Sequence, residues 1–373
     1  MKIGILTFHR AVNYGACLQA YALKRYLEKK GIEAYIIDYR CKFIEDLYTN
    51  PFCKEFSFKS KIRNILTWHV QKKRNAAFDE FITQYLGCNE RTSLFSKDEL
   101  SNIEKKFDGI IVGSDQVWST LCTGNDTAYY LDFVTDNKKK FSYAASFGVV
   151  SEDYYDNDQI KKLLSEFSAL SVREKIGCEV LKKMVGREAI VCLDPTFLLG
   201  KNDWEELIHP VKESKYIFVY SLSMPEALVN YAEEMAKRKN LKVIYFTLSN
   251  LFTLRKSKEV INGMPTDFVS YIANAEYVIT NSFHGTAFAI IFNKELTVFK
   301  NANKNHDNSR LENIMSIAGI EDRLLKEGEM TFFDNRIDYE IVNGNLEFEV
   351  NKSKKYLEQI IDNIGEGEIK VED

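Results

Sequence analysis

The 373-residue chain has few residues that punctuate structure, with 5 prolines and 18 glycines. That excludes collagen-like and linker-like classes. No apolar run approaches the ~18–20 residues that a bilayer-spanning helix needs. The short apolar start at residues 2–8 is interrupted by His9, Arg10 and Asn13, and does not read as a signal peptide. The seven cysteines form no Cys-x-x-Cys pair, which speaks against a zinc ribbon or a redox pair. Reduced thiols in a cytoplasmic protein are the simplest expectation. The five histidines include no His-x-x-x-His pair, so no resident metal is expected. Excess positive charge is missing too. A net charge of −4 argues against a nucleic-acid binder.

Aromatic residues, by contrast, are plentiful, with 25 Phe and 20 Tyr. Such a chain can bury enough apolar area to offset the entropy of ordering it. At roughly 100–200 residues per domain, the length suggests two domains or one large one.

The hydrophobic pattern alternates between strand and helix. Residues 2–8 read as a strand, 16–30 as an amphipathic helix and 34–38 as a second strand. This is βαβ grammar, which implies a parallel sheet covered by helices. It recurs with strands near 107–113, 140–145, 170–172 and 190–193. A second series begins near 215, with strands at 216–222, 243–247, 276–280 and 295–299. Between them lie helices at 225–239, 266–274, 286–292 and 309–317. The stretch 200–214 is the expected hinge, and 351–364 a final amphipathic helix. The expected fold is α/β, with two Rossmann-like domains facing a cleft. The expected boundaries are 1–208, 209–335 and a C-terminal segment 336–373.

In such sheets ligands sit beyond the carboxyl ends of the strands, so the loops that follow strands carry the candidates. The first loop ends in Asn13-Tyr14-Gly15, where a helix N-terminus favours anions or sugar hydroxyls. The second holds Asp115, Gln116 and Trp118. A carboxylate, an amide and an indole suit a sugar, and Asp115 is a candidate base for a hydroxyl. The alternative there is an Asx turn beside a buried Trp. In the third, Arg173 follows a strand directly; its fork suits a carboxylate or phosphate, and the alternative is an exposed helix-start Arg paired with Glu174 or Glu179. The fourth is Ser282-Phe283-His284-Gly285-Thr286. It places a histidine, which titrates near neutrality, at the start of a helix. The fifth is the polar loop 300–310. There Arg310 in a helix's first turn opposes the dipole, and a bound anion would account for it. Separately, residues 54–74 hold Lys54, Lys59, Lys61, Arg63, Lys72, Lys73 and Arg74, interleaved with Phe56, Phe58 and Trp68. Such a segment is either a basic solvated insertion or a peripheral contact with anionic membrane. Neither Gly-x-Gly-x-x-Gly nor Gly-x-Ser-x-Gly is present, so neither a dinucleotide fold nor a serine hydrolase gains support.

Read together, these pieces resemble the polysaccharide pyruvyl transferase family. The matching motifs are Asn-Tyr-Gly-Ala at 13–16, Ile-Val-Gly-Ser-Asp-Gln-Val-Trp at 111–118 and Ser-Tyr-Ala-Ala-Ser-Phe-Gly at 142–148. Ser-Val-Arg-Glu at 171–174, Asp-Pro at 194–195, Thr-Asn-Ser-Phe-His-Gly at 280–285 and Asn-Ser-Arg at 308–310 follow in the same order. The resemblance spans about residues 1–325. It implies a fold similar to that of GT-B glycosyltransferases, with the N-terminal domain on the acceptor side and the C-terminal one on the donor side. It also implies transfer of a pyruvyl group from phosphoenolpyruvate to two hydroxyls of one sugar. The acceptor would be a cell-surface polysaccharide or its lipid-linked precursor, and no cofactor is needed. By this resemblance His284 looks like the catalytic acid, and Arg173 like a donor-binding arginine. Asp115 would assist the hydroxyl. Ser282, Gly285, Thr286, Lys304 and Arg310 would hold the donor; Asn13, Tyr14, Gly15, Gln116 and Trp118 would hold the acceptor. Many members carry Arg-Leu-His where this chain has Ser282-Phe283-His284. Arg310 or Lys304 is therefore expected to supply the missing cation. The rival readings are a nucleotide-sugar glycosyltransferase on the same fold and a non-catalytic glycan-binding assembly protein.

Overall fold

The computed structural model describes residues 1–150, 152–256, 259–302 and 308–366. Eleven strands are seen among them: β1 Lys2–Leu6, β2 Glu33–Ile36, β3 Gly109–Val112, β4 Lys140–Ser142, β5 Ser171–Val172, β6 Ile190–Val191, β7 Tyr216–Tyr220, β8 Lys242–Phe246, β9 Tyr277–Thr280, β10 Glu295–Phe299 and β11 Leu324–Leu325. They form two parallel sheets, β2-β1-β3-β4 and β11-β10-β9-β7-β8, with the pair β5-β6 beside β4. Continuous apolar runs explain the central strands. Every residue of β3, β7 and β9 is buried, as expected where helices cover both faces of a sheet.

The strand orders decide where a ligand can sit. In the first sheet the chain leaves β1 toward β2 on one side, and leaves β3 toward β4 on the other. In the second, β7 leads to β8 on one side and β9 leads to β10 on the other. Each sheet therefore has a switch point between two adjacent strands, and the loops that leave those strands diverge to open a crevice. These are the loops after β1, β3, β7 and β9.

An apolar seam joins the halves. Tyr14 opens helix Tyr14–Lys29 of the first half, and its ring stacks on Phe268 of the second with centroids 4.9 Å apart. Its hydroxyl donates to the Gly263 carbonyl at 3.3 Å. The segment expected as a hinge contains helix Lys201–Trp204, whose buried Trp204 packs edge-on to Phe288. The last helix, Tyr339–Glu366, is longer than its apolar pattern indicates. It starts against the second half, where Asn345 Nδ2 donates to the Ala318 carbonyl. It ends on the first half, where Tyr356 donates to the Ser142 carbonyl and Ser353 Oγ accepts from Leu193 N–H.

Two local differences have simple causes. Pro225 is the N-cap of helix Glu226–Lys239 instead of lying in its first turn. The helix after β9 begins at Phe283 with Ser282 as N-cap, so His284 lies within its first turn. Residues 54–74 form part of helices Phe58–Leu66 and Trp68–Phe81. The first of these buries no residue, and Phe58, Ile62, Ile65 and Leu66 are exposed along it. Arg74 does not belong to this exposed basic segment, because it is buried. No helix among the described residues is long and apolar enough to cross a membrane.

Candidate functional site

A cavity of about 400 Å³ lies where the two switch points face each other. Each of the four diverging loops contributes to its wall: Asn13 after β1, Asp115 and Gln116 after β3, Ser221 to Ser223 after β7, and Asn281 to His284 after β9. Arg310 and Asn301 close the side nearest β10. A branch of about 190 Å³ shares Asn13, Asp115 and Gln116 with it.

His284 is 7% exposed, and its ring is wedged between the two halves. On one side it lies against Gly15, where an added Cβ would stand 1.9 Å from Nδ1. Glycine at position 15 is thus what allows the imidazole to reach the cleft. On the other side Nε2 lies 3.5 Å from Asp194 Oδ2 and has no hydrogen-bond partner among the described residues. A buried ring nitrogen without a hydrogen-bond partner is an unsatisfied polar atom, and the polar atom beside it is this carboxylate oxygen.

Asp194 is the hub beneath the cavity. Fully buried, it accepts from Arg173 Nη1 at 2.9 Å, Ser114 Oγ at 3.1 Å, Thr196 N–H at 3.1 Å and Thr196 Oγ1 at 2.9 Å. Burial alone would raise its pKa. The charges of His284 and Arg173, with the Thr196 N–H, outweigh that and hold the carboxyl well below its usual range. Arg173 is surrounded by acids: Nε donates to Glu174 at 3.0 Å, and Nη2 lies 3.7 Å from Asp115. Burial disfavours its charge, but Glu174, Asp115 and Asp194 keep the guanidinium above its ordinary pKa.

Other sequence candidates fall in different places. Asp115 adopts φ 78°, a left-handed conformation that is sparsely populated outside glycine and often marks functional loops. This turn leaves its carboxylate at the cavity wall, with Oδ1 accepting from Gln116 N–H. Arg310 sits in the first turn of helix Ser309–Ala318. In the amide orientation that satisfies both groups, Gln116 Oε1 accepts from Arg310 Nη1 at 3.0 Å and Nη2 at 2.8 Å. A ladder of amides positions that helix: Asn281 Nδ2 donates to Asn301 Oδ1, and Asn301 N–H to Asn308 Oδ1. Asn13 lines the cavity and caps helix Tyr14–Lys29, accepting from Gly15 N–H at 3.0 Å.

Several expectations are corrected. Trp118 is 0% exposed and donates from Nε1 to the Tyr129 carbonyl, so its indole is core and cannot stack on a sugar. Tyr14 is likewise buried in the seam between the halves and does not line the cavity. Arg173 lies below the cavity and is paired with its acids; it is not an open donor-binding group. Gly285 packs tightly on β9, where a Cβ would stand 2.4 Å from Thr280 Oγ1. The buried Thr286 donates its hydroxyl to the Ser282 carbonyl. Neither residue lines the cavity, although Ser282 does. Lys304 lies outside the described residues.

Sequence reasoning had not assigned Asp194, Glu174 or the Ser221–Ser223 loop to the site. The usable signal was position, since Asp194 follows β6 and Ser221 follows β7 at their carboxyl ends. His9 and Arg10, in the same first loop as Asn13, have a structural role. Both bond to the buried Asp38, with His9 Nε2 at 2.9 Å and Arg10 Nη2 at 2.7 Å. His9, Asp38 and Cys88 make the one His/Cys/Asp group among the described residues close enough to hold a metal. A guanidinium already occupies the carboxylate, so the group reads as a structural ion pair.

A family model described as polysaccharide pyruvyl transferase matches residues 13–303. No curated protein matches the chain significantly. Among solved structures, the chain is similar to UDP-N-acetylglucosamine 2-epimerase from Rickettsia bellii, at 10% identity over 100% of this chain and 99% of that one, with a TM-score of 0.54. It is also similar to UDP-GlcNAc 2-epimerase from Methanocaldococcus jannaschii, at 15% identity, 97% and 99% coverage and a TM-score of 0.45. A third similar structure is E. coli ADP-heptose lps heptosyltransferase II, at 10% identity, 95% and 100% coverage and a TM-score of 0.36. At such identities the likeness concerns the fold alone. The architecture is the expected one, α/β with two Rossmann-like halves of GT-B type facing a cleft.

Proposed function

The chain belongs to the polysaccharide pyruvyl transferase family, and from that premise we propose that it transfers the pyruvyl group of phosphoenolpyruvate onto two hydroxyls of one sugar. The sugar belongs to a surface polysaccharide or its lipid-linked precursor. One observation carries the reading: His284, a titratable group, and Arg310, a fixed cation, line one cavity between the two switch points. A small anion that must be protonated needs both.

In this scheme Arg310 and the first-turn N–H groups of helix Phe283–Ile291 receive the donor's phosphate and carboxylate. His284 gives a proton to the methylene carbon, which leaves an oxocarbenium-like centre at the neighbouring carbon. One sugar hydroxyl, its proton accepted by Asp115, attacks that carbon. The C–O bond to phosphate then breaks, and the second hydroxyl closes the ketal. Asp115 passes the first hydroxyl's proton to the departing phosphate, and the second hydroxyl's proton restores the imidazolium. Arg173 and Asp194 act from below by fixing Asp115 and His284.

The test is release of inorganic phosphate from phosphoenolpyruvate, with a panel of galactose- and mannose-containing acceptors. Acceptor-dependent release is expected, with the sugar gaining a pyruvate ketal by mass. Consumption of a sugar nucleotide with release of nucleoside diphosphate, and no use of phosphoenolpyruvate, would replace this reading with glycosyl transfer.

The same reading includes a peripheral membrane contact. Phe58, Ile62 and Leu66 recur every fourth residue on one exposed helical face, beside Lys59, Lys61 and Arg63. The chain is expected to co-sediment with phosphatidylglycerol vesicles at low salt and to dissociate as salt rises. Phe58→Asp combined with Leu66→Asp should abolish binding. Retention by the double variant would remove this surface from the proposal.

A further inference from the structure

Arg74 is 3% exposed and lies on helix Trp68–Phe81. A buried guanidinium is costly unless its charge is compensated. Elsewhere the chain follows that rule. Arg10 faces Asp38, Arg173 faces Asp194 and Glu174, and Arg323 faces Glu295 and Asp322. Arg74 does not: among the described residues no carboxylate pairs with it. Its Nη1 donates to the Thr247 carbonyl at 3.3 Å, its Nη2 donates to Asn250 Oδ1 at 2.6 Å, and Nε has no hydrogen-bond partner among those residues. Burial depresses its pKa, and the groups opposing this are phenols, not acids.

This arginine lines a cavity of about 350 Å³ between the first half's helices and the loops after β7 and β8. Arg63 adds a second cation, and Asn64, Gln71, Asn75 and Ser249 add neutral polar groups. The cavity adjoins the site described above. Leu222 and Ser223 line both it and the His284 cavity, while Leu47 and Tyr48 line both it and the branch beside Asp115. Two cations without an acid, set among amides and hydroxyls, form a receptor for an oxyanion attached to a hydroxylated molecule.

We infer that this cavity is a second acceptor subsite, which binds an oxyanion carried by the glycan at a distance from the hydroxyl pair. Its role as an acceptor subsite rests on the pyruvyl-transfer reading; its preference for an oxyanion does not. The oxyanion is either a phosphate linking glycan to lipid or the carboxylate of an acidic sugar. A phosphate source would carry its lipid past Arg63 toward the exposed Phe58, Ile62 and Leu66 on the same helix.

The experiment is isothermal titration of the full chain with inorganic pyrophosphate and, separately, with glucuronate. An Arg310→Gln background removes the anion site near His284. Binding is expected in that background, weakened at least about tenfold by the further change Arg63→Glu. Arg63 is exposed, so its replacement tests the site without risk to the fold; Arg74→Gln should weaken binding in parallel. Tighter binding of pyrophosphate supports the phosphate source, and tighter binding of glucuronate supports the acidic sugar. Binding of both probes unchanged by Arg63→Glu overturns the inference, as does failure of both to bind. No phosphoenolpyruvate enters the experiment, so a failure of the transfer reading leaves its outcome distinct.

Discussion

Replacing His284 with alanine is expected to lower kcat for acceptor-dependent phosphate release by about 10²–10⁴-fold, the usual range for loss of a positioned general acid. KM for phosphoenolpyruvate should change far less, because Arg310 and the helix N-terminus remain. The position of the ring motivates the size of the effect. Among the described residues His284 is the histidine lining the cavity, and the geometry around it is restrictive: Gly15 on one side, Asp194 at 3.5 Å on the other. Water entering an alanine-sized gap would lack both the acidity and the aim of the imidazole. His284→Gln keeps much of the volume and should be as slow, which separates chemistry from packing. Turnover by wild-type enzyme in heavy water should also place one deuterium in the product's methyl group, as protonation of the methylene carbon requires. A rate unchanged in both variants, with the deuterium still incorporated, would assign the proton to another group.

The sequence's legibility followed the range of each interaction. β10 is expected at 295–299 and found there, because five residues with an apolar core between a helix and a polar loop constrain one another locally. The site's location was legible for the same reason. Parallel strands follow from βαβ grammar, and loops after strands carry ligands; the strand order that sets the switch points does not follow from it. What was not legible depends on contacts across the chain. Trp118 sits beside two polar site residues, and only the packing of Tyr130, Phe147 and Phe167 shows that its indole turns inward. Arg173 reads either as an anion-binding cation or as a partner of Glu174 or Glu179, and the sequence does not show that β6 brings Asp194 to within 2.9 Å of it. Asp194 in turn is an ordinary carboxylate in sequence. It becomes the hub only when residues 114, 173 and 284 converge on it from three other loops. Arg74 shows the limit of charge counting, since a basic run in sequence divides into an exposed face and one buried cation.

That convergence makes Asp194 the residue whose loss should cost the fold most. Asp194→Ala is expected to destabilise the protein by about 3–5 kcal/mol near neutral pH, the scale for removing one partner of a buried ion pair. It would leave Arg173 buried with less compensation, and it would orphan the Ser114 and Thr196 hydroxyls and the Thr196 N–H. His284→Ala leaves this network in place and should cost much less. The isosteric change Asp194→Asn isolates the charge and gives a pH signature. The native carboxyl is held below the ordinary aspartate value, which lies near 4 in the unfolded chain. Its contribution is therefore fully present above about pH 4 and fades as pH falls toward the native value, because the unfolded chain takes up the proton first. Denaturant unfolding of wild type and Asp194→Asn should show a constant gap from neutrality down to mild acid, and a shrinking gap below it. A gap that stays constant through strong acid, or widens there, would mean that the Asp194 charge contributes nothing to holding Arg173 and His284 in place.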